Sequence, residues 1–169
     1  MNILISGVHG FVGSNLVKAL SSEHTIYGLD IIAPEKEGVK HTFGWDDLYD
    51  SNFPKIDAII HLAGKAHDTR NKSAADAYFK VNTGLTQKIF DWFLAQPKAS
   101  KFIFFSTVKS AADYVPGDIL TENCVPTPVG PYGESKIKAE NYIISKFAPE
   151  ALSRPFHNFD DSDSIVPGK

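Results

Sequence analysis

The feature that most constrains this chain is a glycine-rich turn between its first apolar segment and its first helical segment. The turn occupies positions 7–13 and directly follows the apolar run Asn2–Ser6. In such a strand–turn–helix unit, the first glycine permits a tight turn, the second lets backbone approach a pyrophosphate, and the third allows close helix–strand packing. The alternative is an ordinary glycine-rich turn. Because an amphipathic segment follows, the pattern predicts a dinucleotide-binding loop at Gly7, Gly10 and Gly13, with helix N-terminal amides facing phosphates.

Short apolar runs alternate with longer segments of helical period along the whole chain. Strands are predicted at 2–6, 25–29, 57–62 and 101–106, with a weaker candidate at 39–43, and helices at 11–21, 74–95 and 131–147. Three of the strand runs are continuously apolar, which is typical of parallel strands covered on both faces. We therefore expect an α/β fold, a Rossmann-type doubly wound parallel sheet in three α/β/α layers. The expected strand order is 3-2-1-4-5, with the ligand at the switch point between the first and fourth strands.

Composition excludes several classes of function. The formal charge of −3 comes from 17 basic and 20 acidic residues without a basic cluster, which argues against nucleic acid or an anionic membrane as partner. Cys124 is the only cysteine, so no internal disulfide or cysteine-based metal site is expected. No apolar run reaches the roughly 18 residues of a membrane span, and no cationic leader precedes the first apolar run. His61 and His67 fit no zinc spacing, so no metal is expected. We expect a soluble cytoplasmic protein that acts on small molecules.

An acidic residue ends the second predicted strand. Asp30 follows Thr25–Leu29, where the dinucleotide fold places the carboxylate that accepts hydrogen bonds from the adenosine ribose. Ile31 and the two residues after it bring no arginine that would offset the repulsion between this carboxylate and a 2′-phosphate. The alternative is a turn cap at a strand end. Asp30 therefore favours NAD over NADP.

A tyrosine and a lysine stand four positions apart in the third predicted helix. This spacing places Tyr132 and Lys136 on one helix face, about one turn apart. A tyrosine acts as a base near neutral pH only when a nearby positive charge stabilises its anion. An ammonium about 4 Å away contributes about 4 kcal/mol at an effective dielectric of about 20. The alternative is an exposed aromatic–lysine pair, which occurs by chance in many helices.

The order of the motifs along the chain decides between these alternatives. The run 61–64 (His-Leu-Ala-Gly) follows one strand, and Ser106 and Thr107 follow the next. With these motifs in order, the sequence over about residues 1–147 resembles the extended short-chain dehydrogenase/reductase superfamily, and within it the NAD-dependent epimerase/dehydratase family that works on nucleotide sugars. The resemblance implies that Tyr132 is the acid/base and that Lys136 promotes loss of its proton while holding the nicotinamide ribose. It also implies that Thr107 is the catalytic hydroxyl, with Ser106 as the near alternative.

The resemblance implies further contacts with NAD. Segment 62–64 would pass under the cofactor, and Asn82 would contact it from a helix, although an isolated helix asparagine more often bonds solvent or local backbone. The expected cofactor-binding residues are Gly7, Gly10, Phe11, Val12, Gly13, Asp30, Ile31, Leu62, Ala63, Gly64, Asn82, Ser106, Tyr132 and Lys136.

The end of the sequence limits the hypothesis. Prolines frame an acidic, aperiodic stretch within 148–169, which predicts an irregular tail after an NAD-binding domain at 1–147. Family members continue into a substrate-binding region after the tyrosine–lysine helix, and their usual Val-Tyr-Gly turn after the catalytic hydroxyl is absent at 108–110. The leading hypothesis is proton and hydride transfer at a hydroxyl of a nucleotide sugar, leading to epimerisation, dehydration or reduction. The alternatives are an inactive, truncated remnant that binds NAD, and a non-enzymatic NAD-binding module. A homodimer would use the apolar edge strand at 101–106.

Overall fold

The computed structural model describes residues 1–65, 74–97, 99, 101–114, 119–121 and 124–147. The predicted tail at 148–169 and His67 lie outside these residues. The described residues form two compact units. One, the sheet unit, comprises residues 1–63 and 89–105, and the other, the helical unit, comprises residues 64–88 and the described part of 106–147.

The sheet unit contains five parallel strands. They are β1 (Asn2–Ser6), β2 (Thr25–Leu29), β3 (Val39–Phe43), β4 (Ala58–His61) and β5 (Lys101–Phe104). Their spatial order is β3-β2-β1-β4-β5, which confirms the predicted topology. Ser6 pairs with Leu29 on one side and with His61 on the other, so these three residues are level at the carboxyl edge of the sheet.

Helices cover both faces of the sheet. Helix α1 (Phe11–Leu20) packs through Val17 against apolar side chains of one face. The opposite face carries Phe102, whose ring centroid lies 4.9 Å from that of Phe90 and 5.3 Å from that of Phe93. Successive strand residues point to opposite faces, which explains why these runs are continuously apolar. The buried cluster under α1 consists of Ile3, Ile5, Val8, Val17, Ile26, Ala58 and Ile60.

Several element boundaries differ from the prediction, among them those of two strands and one long helix. β4 and β5 are shorter than the predicted ranges 57–62 and 101–106, since their paired register ends at His61 and Phe104, beyond which single bonds from the N–H groups of Leu62 and Phe105 remain. The helix predicted at 74–95 is α2 (Ala75–Tyr78), a π-helical turn (Phe79–Gly84) and α3 (Leu85–Leu94) in succession. Nothing in the hydrophobic periodicity signals the π-helical turn. Every helix within the described ranges is too short or too polar to cross a bilayer.

The helical unit is built around α4 (Gly130–Phe147). Two side chains of the π-helical turn bond Ser135 of α4: the Thr83 hydroxyl donates to its carbonyl at 2.8 Å, and the Asn82 amide donates to its hydroxyl at 2.9 Å. A Cβ at Gly133 would clash with the carbonyl oxygen of Lys109, in the 3-10 turn Val108–Ser110. The glycine therefore lets the beginning of α4 lie directly against the turn that follows Thr107.

Candidate active site

The glycine loop in the sheet unit is too tight for side chains at its first and third glycines. Gly7 has a φ of +70°, and a Cβ there would lie 3.0 Å from Cα of Ala63. A Cβ at Gly13 would lie 2.8 Å from Cα of Val8. Gly10 is the N-cap of α1, and the exposed Phe11 and Val12 begin the helix. Since a glycine cap offers no side-chain acceptor, the first amides of α1 have no side-chain cap, and helix ends of this kind suit an anion.

Asp30 lies at the end of β2 and is bonded to the glycine loop. Its Oδ2 accepts from the backbone N–H of His9 at 3.1 Å, and its Oδ1 accepts from the N–H of Ile31 at 2.8 Å. Each carboxylate oxygen has about two acceptor sites, so one on each oxygen remains for a ligand hydroxyl. The adjacent Ile31 side chain is exposed. The sheet unit thus brings the predicted acid and the predicted loop together.

The Ser6 side chain forms hydrogen bonds with the backbone of the segment after β4. The buried Ser6 hydroxyl accepts from the backbone N–H groups of Leu62 and Ala63, each at 3.1 Å. Ala63 is the residue whose backbone faces the Cβ position of Gly7. The fixed approach of these two backbones requires the glycine at position 7. Sequence reasoning identified Leu62, Ala63 and Gly7 as site candidates and missed Ser6, although it directly precedes the loop.

The three predicted catalytic residues all lie in the helical unit. Thr107 caps the turn Val108–Ser110, and its hydroxyl oxygen accepts from the N–H of Lys109 at 3.3 Å. Tyr132 is half-buried in the first turn of α4, with its ring edge-on to that of the buried Tyr78 at 6.3 Å. Lys136 follows one helical turn later and is buried. Tyr78, whose ring contacts that of Tyr132, was not singled out from the sequence.

Lys136 is a buried cation beside a buried carboxylate. Burial lowers the pKa of Lys136 from 10.5 to about 8, and the negative charge of Glu140 acts in the opposite direction. Burial likewise raises the pKa of Glu140, while hydrogen bonds from Ser106 and Ser110 and the charge of Lys136 lower it. With a pKa of about 8, Lys136 remains mostly protonated at pH 7. The structure therefore places a positive charge in the helix turn that follows Tyr132.

The two candidate hydroxyls have different surroundings. The Ser106 hydroxyl donates to Oε1 of Glu140, so its hydrogen is engaged with a carboxylate. The bond between Thr107 and Lys109 uses a lone pair of the threonine hydroxyl and leaves its hydrogen for another acceptor. This difference favours Thr107 as the hydroxyl that donates to a ligand.

Asn82 is fully buried in the π-helical turn. Its Oδ1 accepts from the N–H of Lys65 at 2.6 Å, and its Nδ2 donates to the Lys65 carbonyl at 3.2 Å as well as to Ser135. These contacts join the segment beginning at Gly64 to α4. The side chain thus bonds protein groups, and its expected contact with the cofactor stays a prediction.

Several site residues in the structure were not singled out from the sequence as site candidates. A detectable signal existed for Glu140, because it lies four positions after Lys136 and so shares its helix face. The others depend on pairings between distant segments, which spacing does not reveal. The missed residues are Ser6, Tyr78, Ser110, Ser135 and Glu140. Across the described ranges, no three His, Cys, Asp or Glu side chains converge as metal ligands would.

A parallel sheet with this strand order, a glycine loop after β1 and an acid after β2 define the dinucleotide-binding Rossmann class. The sequence profile of the NAD dependent epimerase/dehydratase family matches residues 3–150. The chain belongs to this family, which confirms the resemblance drawn from its motifs.

Individual relatives carry out different reactions. The chain is 29% identical over 171 residues to a UDP-glucose 4-epimerase of Streptococcus mutans, covering 92% of this chain and 50% of that protein. It is 24% identical to a GDP-6-deoxy-D-mannose reductase of Pseudomonas aeruginosa, covering 97% of this chain and 55% of the relative. A UDP-glucuronic acid 4-epimerase of Bacillus cereus, solved with UDP-glucuronic acid and NAD, matches with a TM-score of 0.68 and 25% identity, covering 86% of this chain and 52% of that one. The chain spans about half the length of the relatives it matches.

Proposed function

We propose that this chain binds NAD through the glycine loop and Asp30 and supplies the acid/base residues that act on a hydroxyl of a nucleotide sugar. The observation that carries the proposal is the hydrogen bond from the His9 amide to Asp30, because it places an acceptor carboxylate beside the glycine loop. The relatives' names support the substrate class, since they specify UDP- and GDP-linked sugars.

The residues of the sheet unit fit a dinucleotide. The uncapped amides at the start of α1, together with the helix dipole, favour a pyrophosphate. The remaining acceptor sites of Asp30 suit the two hydroxyls of a ribose, while a 2′-phosphate would meet a carboxylate of the same sign. Ala63 approaches Gly7 so closely that position 7 has no room for a side chain. The loop backbone therefore stays accessible to the phosphates.

The helical unit supplies the proton chemistry. Bound NAD would accept a hydride from the sugar carbon. Tyr132, held as the tyrosinate by the Lys136 ammonium, takes the proton from the hydroxyl on that carbon and becomes neutral tyrosine. Thr107 donates a hydrogen bond to the same sugar oxygen and orients it. Burial of Lys136 strengthens its electrostatic effect because the surrounding dielectric is low.

A second candidate function is NAD binding without turnover. It is favoured by the placement of the candidate residues, since the glycine loop and Asp30 lie in the sheet unit while Thr107 and Tyr132 lie in the helical unit. The residues assigned to cofactor binding would be used as proposed, while Thr107 and Tyr132 would meet no sugar.

One experiment separates these functions. NAD is titrated into the chain by calorimetry, and the NAD-loaded chain is then mixed with UDP-glucose or a GDP-linked sugar while nicotinamide absorbance is followed. We expect saturable NAD binding and formation of reduced nicotinamide. Binding with no reduced nicotinamide for any sugar supports the second candidate, and a folded chain that does not bind NAD contradicts both.

A further inference from the structure

Glu140 is a buried carboxylate that the proposed reaction does not use. It lies one helical turn after Lys136 on α4, and the two side chains are 8% and 7% exposed. Within the described part of the chain, these two are the buried charged side chains. Removing a charge from water is costly unless it is paired and hydrogen-bonded, so a carboxylate retained here requires specific partners.

The carboxylate is bonded to the turn that carries Thr107. The Ser106 hydroxyl donates to Oε1 of Glu140, and the hydroxyl of the buried Ser110 also bonds the carboxylate. The Ser110 oxygen lies 2.6 Å from the carbonyl oxygen of Thr107, so its single hydrogen has two acceptors within reach. Glu140 is therefore bonded to Ser106, which precedes Thr107 in the chain, and to Ser110, which follows it.

The same carboxylate is the buried counter-charge of Lys136. Burial alone favours the neutral amine, and the Glu140 charge acts against it. Charged groups on the elements packed against α4 are differently placed: Asp76 and Lys80 are exposed, and Lys109 pairs with Asp113 at 2.7 Å. Exposed charges are screened by solvent and have little influence on a buried ammonium.

We propose that Glu140 is a positioning residue of the active site, which supplies the counter-charge for Lys136 and anchors the turn that presents Thr107. This inference rests on the proposed function, because it concerns the same three catalytic residues. One carboxylate thereby joins the cation that acts on Tyr132 to the hydroxyl that orients the sugar oxygen.

Nuclear magnetic resonance on the ¹³C,¹⁵N-labelled chain, without cofactor, tests both contacts. The titration midpoint of the Lys136 ¹³Cε signal and the hydrogen exchange of the Ser110 amide, which bonds the Thr107 carbonyl, are compared in wild type, Glu140→Gln, Glu140→Asp and Glu134→Gln. Glu134→Gln is the matched control because it makes the same chemical change at an exposed position of α4. We expect Glu140→Gln to lower the lysine midpoint by about 1 pH unit and to accelerate Ser110 exchange roughly tenfold. Glu140→Asp should restore part of the lysine midpoint, and Glu134→Gln should leave both values at those of wild type.

A general loss of stability has a different signature, because it accelerates exchange at amides throughout α4 and the sheet. An unchanged lysine midpoint, or unchanged Ser110 exchange, in folded Glu140→Gln overturns the proposal. If that variant does not fold, Ser106→Ala replaces it. This variant keeps both buried charges, so we expect it to accelerate Ser110 exchange and to leave the lysine midpoint unchanged. Ser110 exchange at the wild-type rate in Ser106→Ala overturns the anchoring role. A parallel NAD titration of wild type keeps the two proposals distinct, since failure of NAD to bind contradicts the proposed function while the contacts of Glu140 are measured without cofactor.

Discussion

The hydroxyl oxygen of Ser6 lies 2.6 Å from Nδ1 of His61, and both side chains are buried. The same oxygen accepts from the N–H of Ala63 and from the N–H of Leu62, which also bonds the Ser6 carbonyl. We assign the serine hydrogen to Nδ1, and this assignment gives His61 the tautomer with its hydrogen on Nε2. The stacked ring of Phe104, 5.6 Å away, suits an uncharged imidazole. This pair fixes the backbone that faces Gly7.

Ser6→Ala should lower the free energy of unfolding by about 1–3 kcal/mol, because it leaves the Ala63 N–H and His61 Nδ1 buried without their partner. Urea unfolding measures the change, with Ser22→Ala as an exposed control that should stay within about 0.5 kcal/mol of wild type. A Ser6→Ala variant as stable as the control would show that the hydroxyl does not support this segment.

The lowered pKa of Lys136 predicts that the free energy of unfolding increases at alkaline pH. Its pKa is about 8 in the folded chain and 10.5 ordinarily, so between these values the unfolded chain binds more protons than the folded chain. Stability therefore increases with pH in this window, by about 3 kcal/mol in total for this group, while below pH 8 the cost of the buried charge is present in full.

Lys136→Met removes this titration while other groups remain. The free energy of unfolding of both proteins is measured in urea from about pH 7.5 to 10.5. The wild-type value minus the Lys136→Met value should increase with pH, by about 3 kcal/mol in total. A difference that stays flat across the window would mean that Lys136 titrates as an exposed lysine does.

Tyr132→Phe tests the assigned acid/base. The variant keeps the ring that packs edge-on against Tyr78 and loses the hydroxyl to which we assign the proton transfer. We expect NAD affinity to stay within about twofold of wild type, and any nucleotide-sugar reaction to slow by at least about 100-fold. Tyr142→Phe makes the same change two turns or more along α4 and should retain the wild-type rate. Equal rates in the two variants would remove Tyr132 from the proton-transfer step.

The centre of the sheet was predictable because β1, β2 and β4 are buried on both faces. A continuous apolar run such as 58–60 in β4 is typical of a buried parallel strand, and the turn at Gly7 signals where the first helix begins. The exact strand ends were not predictable, since they depend on where a neighbouring strand stops offering hydrogen bonds.

The site was only partly predictable for a related reason. Tyr132 and Lys136 are identified by their local spacing, and Asp30 by its place at a strand end. Tyr78 and Ser135 acquire their roles only when distant segments pack together, as the edge-on contact with Tyr132 and the bond from Asn82 show. Such contacts cannot be inferred from local sequence patterns.

Calorimetric titration of NAD and NADP into wild type, Asp30→Ala and the exposed control Glu23→Ala tests the central claim most directly. The account predicts that wild type and Glu23→Ala bind NAD and bind NADP at least about tenfold more weakly, because the 2′-phosphate meets the Asp30 carboxylate. Asp30→Ala should lose about 10- to 100-fold in NAD affinity, equivalent to a charged hydrogen bond, and should discriminate less between the two cofactors. An Asp30→Ala variant that binds NAD as tightly as wild type, or a wild-type chain that binds NADP equally well, would contradict it.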